Sequence, residues 1–478
     1  MSYPGYEYDQ IAGELLAPSD YQNPLPQKQY HLAVVGAGPA GLISAIGAAG
    51  LGAKVALIER HQMGGDCLNV GCMPSKSLLE YTQHQTDFEG AFTHLRKVRA
   101  EIAPHDSVAR YSELGVDVFL GEAQFSDEGQ LRVGNLHISA RRYAICTGAR
   151  ADIPPIKGLV DAQPLTNETV FDLTEKPTSI GILGGGAIGC ELALVFARLG
   201  VEVHLFELAP RVLPLEIEEA SNAVAQSLQQ QGVQLHVGEG VSEVETQDET
   251  HIVKTDSKQI PCEKLLVALG RKPNTNLGLE KVNVQVDKRG YIVSNAKLQT
   301  SNKKVYAAGD CIAQLQFTHH ADAQARALIQ NTLFAPTAKV DSLVVPHCTY
   351  TKPEVASVGL LPAPLDEQNQ PFETLRFDFD ELDRGRAELD GGGFAEVYLK
   401  QGSDQILGAS IVGHDAGEQI AAICILMSNG MGISAAGKAL LSYPTRSEYL
   451  KRLADAYNRT RLTPFVARLF KAWLNLTA

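Results

Sequence analysis

Positive charge is the first thing this sequence is short of. Lys and Arg number 42 against 55 Asp and Glu, a formal net charge of −13 over 478 residues. Nucleic-acid binding needs a basic face that neutralises phosphates, so nucleic acid is excluded as a main partner. Long apolar runs are also missing, and nothing approaches the roughly 20 apolar residues that cross a bilayer as a helix. The segment 1–29 has neither a basic start nor an apolar stretch and is not expected to act as a signal peptide. Cysteine is sparse: 8 residues are too few for a secreted disulfide scaffold. A soluble cytoplasmic protein of about three domains is expected.

What is present is a run, GGDCLNVGCMPSK at 64–76, with two cysteines separated by four residues. That spacing is too wide for the usual C-x-x-C zinc or thioredoxin pattern. In a reducing compartment, a cysteine pair that forms a disulfide is usually catalytic or redox-sensing, which favours a redox reading of Cys67 and Cys72. The other cysteines (146, 190, 262, 311, 348 and 424) show no ligand-like spacing and are expected to be buried small hydrophobes. No metal site is expected.

A construction repeats along the chain. YHLAVVGAGPAG at 30–41 is an apolar strand followed by Gly36, Gly38 and Gly41, then a helix, then a second strand ending at Glu59. TSIGILGGGAIG at 178–189 gives Gly184, Gly186 and Gly189, and the strand after it ends at Glu207; in both copies the acid lies 23 residues beyond the first glycine. The first glycine permits the tight turn. The second lets the backbone approach a pyrophosphate, and the third lets helix pack on strand. The helix N-terminus binds the anion and the acid takes a ribose hydroxyl. One G-x-G-x-x-G is weak evidence, but two complete copies point to two dinucleotides on two doubly wound domains. Glu207 favours NAD over NADP, because its carboxylate repels a 2′-phosphate, although Arg211 four residues on blunts this. The first site, beside the cysteine pair, then suits FAD.

These motifs, with VYAAGDC at 305–311 and PHCTYTKPEVASVG at 346–359, occur in the order found in the class I pyridine nucleotide-disulfide oxidoreductases. The chain resembles that family over about residues 30–460, and within it the dihydrolipoamide dehydrogenase and mercuric reductase branches most. The resemblance implies an FAD domain at 30–152 and 277–345, an NAD(P) domain at 153–276 inserted between those parts, and an α+β dimerisation domain at 346–478. It implies a homodimer and a redox disulfide, with Cys67 as the interchange thiol and Cys72 beside the flavin. It pairs Lys76 with Glu191, sets Asp310 on the flavin's ribityl chain and makes Gly148, in ICTGA, part of the crossover leaving the first FAD segment. His319, with His320 in FTHHADAQ, falls near the flavin's pyrimidine end, where a surface or helix-capping role competes with tuning of the flavin.

The pattern breaks near the end. Dihydrolipoamide dehydrogenases carry a His-Pro-Thr-x-x-Glu motif whose histidine is the acid/base for the interchange thiol. Here the stretch is YPTRSE at 443–448, so Tyr443 stands in the histidine's place and Glu448 keeps the glutamate's. A phenol with an ordinary pKa near 10 is a poor base at neutral pH, where an imidazole titrates. Mercuric reductases share the tyrosine but end in a Cys-Cys pair that this chain lacks. The expected activity is electron transfer from NADH through FAD and Cys67–Cys72 to a disulfide, reversibly. Two alternatives are reduction of a soft metal or other electrophile, and a membrane-linked electron-shuttling or redox-sensing flavoprotein. The last stretch, 462–478, has apolar residues at helical spacing among basic ones. Packing on the dimer is its favoured reading, and contact with a membrane surface is the other. The extension 1–29 is either disordered or wrapped on the FAD domain.

Overall fold

The structure is a computed structural model describing residues 3–388 and 392–477. The chain forms two compact units. One runs up to Leu208 and resumes over Gln231–Ser342, and the other holds Ala209–Gln230 and the chain from Leu343 onward.

The first unit is α/β, as expected. Strand β1 (Tyr30–Val35) leads through helix α2 (Pro39–Gly50) to β2 (Val55–Glu59), the α1 label being kept for the helix Tyr6–Leu16 ahead of them. The run YHLAVV can be apolar almost throughout because helices cover a parallel sheet on both faces. In space the strands run Val305–Ala307, Ala140–Ile145, β1, β2 and β3 (Val116–Leu120), all parallel. The second glycine fingerprint opens a four-stranded parallel sheet in the order Gln234–Val237, Glu202–Glu207, Ser179–Leu183, Lys264–Val267. Each parallel sheet is accompanied by a small three-stranded antiparallel one, so the repeat extends beyond the fingerprints. The chain leaves the first sheet along Ala149–Ala151 and comes back along Arg271–Pro273, and these two connections pair antiparallel.

The second unit is α+β. A five-stranded antiparallel sheet, in the order Pro346–Thr349, Glu354–Gly359, Ile406–Gly413, Phe394–Lys400, Phe372–Asp378, packs Ala395, Val397 and Ile411 against Ile420, Ile423, Tyr449 and Leu453 from the helices Ala416–Ser428 and Glu448–Thr460. No helix among the described residues is long and apolar enough to cross a membrane.

The N-terminal extension is wrapped rather than loose. Helix α1 packs on α5 (Phe88–Asp106), and Asn23 both donates to the Leu120 carbonyl and accepts from its N–H along the edge of β3. Of the six cysteines expected in the core, Cys146, Cys190, Cys262 and Cys311 are buried, whereas Cys348 and Cys424 are half-buried. Cys348 sits on an edge strand and Cys424 on a helix only partly covered by its sheet, which accounts for the difference.

Candidate active site

Both fingerprints make the same local cradle. The chain turns at Gly36 with φ of 100°, a conformation glycine adopts freely. A Cβ on Gly41 would lie 1.8 Å from the Gly36 carbonyl oxygen, so any side chain there would force α2 off the turn. In the second copy Gly184 turns with φ of 112°, and a Cβ on Gly189 would lie 1.9 Å from the Gly184 oxygen. The acids behave alike as well: Glu59 accepts from the Ala37 N–H at 2.7 Å, and Glu207 from the Gly185 N–H at 2.7 Å. Each carboxylate pins its glycine loop and marks the strand end where a ribose is held in such folds. The middle glycine differs. A Cβ on Gly186 would meet nothing within 4 Å, whereas Gly38 faces the Cα of Gly65. Open space at Gly186 is what a pyrophosphate needs.

Beside the first cradle lies a cavity of about 230 Å³, lined by Gly36, Glu59, Arg60, Thr147, Arg150 and Asn274. A glycine floor, an acid at the strand end and two guanidinium groups fit one end of a dinucleotide. Gly148, with φ of 64°, follows the lining residue Thr147.

The cysteine run folds as two short helical pieces. Cys67 lies in α3 (Gly65–Asn69) and Cys72 opens α4 (Cys72–His84). A Cβ on Gly65, itself at φ of 59°, would come within 2.5 Å of the Gly38 Cα, so the cysteine loop and the first glycine loop meet backbone to backbone. The two thiols are free, half-buried and electrostatically coupled to each other. Cys72 is the one held as thiolate, with its pKa lowered to about 6. The Cys67 thiol donating to it is the largest cause, and the Thr318 hydroxyl and the Lys76 ammonium add to it against the desolvation of burial. Its place at the first turn of α4 acts in the same direction. Cys67 is pushed up, first by donating to Cys72 and then by burial.

Lys76, on the first turns of α4, meets Glu191 of the helix Ala187–Arg198 with Nζ 2.8 Å from Oε2. The Glu191 side chain is 4% exposed, so the ion pair gives a buried carboxylate its counter-charge. Asp310 is half-buried and its pKa raised by desolvation, with Arg271 opposing at 3.8 Å. Arg271 also pairs with Asp66, the neighbour of Cys67, and donates to the Ala149 carbonyl at 2.6 Å. Of the two histidines opening the helix Thr318–Leu333, His319 is exposed and stacks on Phe317 with ring centroids 5.5 Å apart. His320 is the buried one, held by the Leu315 carbonyl at 2.8 Å and by Gln324.

Sequence reasoning missed Thr318 and Arg271, and it missed a clamp from the N-terminal extension. Asp9 of α1 pairs with Arg96 at 3.2 Å and with Arg99; Arg99 donates to the Asn69 carbonyl at 3.1 Å, at the end of the helix that carries Cys67. Leu16 accepts from the Met63 N–H at 3.1 Å, at the other end of the same loop. The signal for Thr318 was its place just after the Asp310 motif. Nothing local marks Asp9, because its partners are about 90 residues away.

Tyr443 and Glu448 lie in the second unit. The Tyr443 side chain is 72% exposed, and its hydroxyl donates to the Asp383 carboxylate at 2.9 Å. That hydrogen bond, with the Asp383 charge, holds the phenol above its usual pKa and makes it a still weaker acid. Glu448 starts the helix Glu448–Thr460 and accepts from Arg452 at 3.0 Å.

Two glycine cradles, a thiol pair and a sheet domain for pairing subunits define a flavin- and nicotinamide-dependent disulfide reductase fold. Residues 30–325 match the pyridine nucleotide-disulphide oxidoreductase model, and residues 345–454 match that family's dimerisation domain. The chain belongs to this family, whose members bind FAD and NAD(P), and its dimerisation domain supports a homodimer. Among curated relatives, a mercuric reductase of Lysinibacillus sphaericus is 32% identical over 94% of this chain and 86% of its own length. A dihydrolipoyl dehydrogenase of Thermus scotoductus is 32% identical over 90% of this chain and 98% of its own. Among solved structures, the Cu(II) complex of the HOCl-induced flavoprotein disulfide reductase RclA from Escherichia coli superposes with a TM-score of 0.84 at 29% identity, covering 90% of this chain and 100% of that one.

Proposed function

We propose that this protein is a cytoplasmic, NADH-dependent disulfide oxidoreductase working as a homodimer, with Cys67 and Cys72 as its redox pair, and that its natural acceptor does not require an acid/base histidine. The observation that carries the reading is two free, half-buried cysteines on adjoining helical pieces, with Cys72 opening α4 and its sulfur 3.4 Å from the Thr318 hydroxyl. Bound FAD supplies the two-electron connection between nicotinamide and the cysteines. The work of the chain's own residues lies in the thiol exchange. The Cys67 thiol gives its proton to water, the Cys72 thiolate being too weak a base to take it. The Cys67 sulfur then attacks the acceptor disulfide, forming a mixed disulfide and releasing one thiolate, which is protonated from water. The Cys72 thiolate attacks the Cys67 sulfur, closing the Cys67–Cys72 disulfide and releasing the second thiolate, which is protonated from water. Thr318 and Lys76 hold the charge on Cys72 between these steps. Run backwards, the same steps oxidise a dithiol.

NAD is favoured over NADP by Glu207, and Arg211 does not offset it. The Arg211 guanidinium is engaged by the Pro214 carbonyl at 3.2 Å and the Glu216 carbonyl at 2.8 Å. In the family pattern Tyr443 occupies the acid/base position, and a phenol raised by Asp383 is unsuited to it. General acid–base help is worth roughly 10²–10⁴-fold, so wild-type turnover with lipoamide is expected to be slow. A second reading, reduction of a soft metal bound by the two thiols, is favoured by that same tyrosine, by relatives named mercuric reductase and by a structural relative solved with Cu(II).

The test is NADH oxidation by the FAD-loaded protein with lipoamide and with Hg(II), for wild type, Tyr443→His and Cys72→Ser. Slow lipoamide turnover that rises at least about tenfold in Tyr443→His, and vanishes in Cys72→Ser, supports the disulfide reading. Brisk Hg(II)-dependent oxidation unaffected by Tyr443→His moves the assignment to the metal. Activity that survives Cys72→Ser overturns both.

A further inference from the structure

The last helix, Pro464–Thr477, buries none of its residues, although the helix before it, Glu448–Thr460, buries Tyr449, Leu450, Leu453 and Ala454. Its large side chains stand in the open: Phe465 is 72% exposed, Trp473 65% and Leu476 82%. At about 100° per residue, the large apolar residues from 465 to 476 fill an arc of about 180° with only Thr477 as a polar member, and Ala467 and Ala472 flank it. Arg468, Lys471 and Asn475 occupy the opposite side. An apolar stripe that covers a core is about 100° wide or more, but it is buried, and this one buries none of its residues. A half-cylinder is what a helix lying flat at a lipid–water boundary presents.

The charges agree. From 456 to the end there is no Asp or Glu, while Arg459, Arg461, Arg468 and Lys471 give four positive charges in a chain of net charge −13. Two copies of this helix pairing with each other would bring together basic segments with no counter-charge. The match to the family's dimerisation domain also stops at residue 454, ten residues before the helix starts. Anionic lipid supplies both what the apolar arc and what the basic side lack.

We propose that the helix Pro464–Thr477 docks this protein on an anionic bilayer surface, with Phe465, Leu469, Trp473 and Leu476 in the boundary between headgroups and acyl chains and with Arg468 and Lys471 on the lipid phosphates. The helix lies on the membrane without spanning it. The inference is independent of which acceptor the enzyme reduces, and it makes a membrane-borne acceptor accessible.

Trp473 is the only tryptophan in the chain and reports on this helix without labelling. The full-length, FAD-loaded protein is mixed with vesicles of phosphatidylcholine alone or with phosphatidylglycerol added, and followed by co-sedimentation and tryptophan emission. Binding and a blue shift are expected on the anionic vesicles only. Binding should weaken at least about tenfold between roughly 0.1 M and 1 M salt, as the Debye length falls from about 10 Å to about 3 Å. The double variant Arg468→Glu/Lys471→Glu should lose binding and keep its dimer on size exclusion and its NADH oxidation. Failure of the wild type to bind anionic vesicles overturns the proposal. If Trp473 is already blue-shifted without lipid and Trp473→Glu dissociates the dimer, the helix joins two copies of the chain and the proposal also fails.

Discussion

The Thr318 hydroxyl lies 3.4 Å from the Cys72 sulfur, joining the start of one helix to the start of another across 246 residues. With the Cys67 thiol it gives the Cys72 thiolate a second hydrogen-bond donor. Thr318→Val keeps the shape and removes the donor. A hydrogen bond to a charged group is worth about 1.5–3 kcal/mol, so the pKa of Cys72 should rise by roughly one pH unit or more. Its folded value of about 6 lies below that of an ordinary thiol. The stabilisation it gives the reduced protein is therefore fully present above the ordinary thiol range and is lost as pH falls through about 6. Titration of thiolate ultraviolet absorbance in the reduced protein should show the wild-type transition near pH 6 and the variant's displaced upward. An unmoved transition would mean that Thr318 is only a neighbour.

The glycines of the second cradle separate folding from binding. Gly189→Ala forces a Cβ to within 1.9 Å of a carbonyl oxygen, whereas Gly186→Ala meets no atom within 4 Å and sits at an ordinary φ of −75°. Gly186→Ala should keep the wild-type melting temperature and FAD content yet raise the KM for NADH about tenfold, by crowding the pyrophosphate. Gly189→Ala should lower the melting temperature itself. Calorimetry beside steady-state kinetics distinguishes them.

Asp9 holds two guanidinium groups, one of them, on Arg96, with a side chain only 1% exposed. Asp9→Ala removes the carboxylate paired with that buried charge. Breaking a buried pair in this way costs about 3–5 kcal/mol, which urea unfolding would register. Because Arg99 also holds the Asn69 carbonyl, the variant should oxidise acceptor more slowly even under conditions where it remains folded.

Lys76→Met strands the Glu191 carboxylate inside the protein. A loss of about 3 kcal/mol is expected, with part of it recovered in Lys76→Met/Glu191→Leu, where neither charge remains. If the double variant is no more stable than the single, the ion pair is not what Glu191 depends on.

Much of this protein was readable along the chain because the relevant forces are local. A glycine fingerprint is a turn, a strand and a helix within about thirty residues, so both cradles, Glu59 and Glu207 were visible without a structure. Lys76 and Glu191 are 115 residues apart and were paired through the family resemblance, since no spacing rule joins them. Arg271 and the Asp9 clamp were not visible at all, and Thr318 was marked only by its place after the Asp310 motif, because each depends on segments that meet only when the sheet closes. Of the two adjacent histidines, the sequence reading put His319 toward the flavin. The helix turn directs His320 inward to the Leu315 carbonyl and leaves His319 on the surface.

The sequence alone determined the α/β class, the two dinucleotide cradles and the presence of a thiol pair beside the first of them, because these follow from backbone sterics and short-range periodicity. It also put a tyrosine, Tyr443, where the resembled family pattern has a histidine, since identity at a position needs no fold. Tertiary structure decided what neutralises Glu191, that the N-terminal extension braces the cysteine loop, and that the last helix buries none of its residues. Those are questions of burial and of partners distant in sequence, and a one-dimensional pattern carries neither.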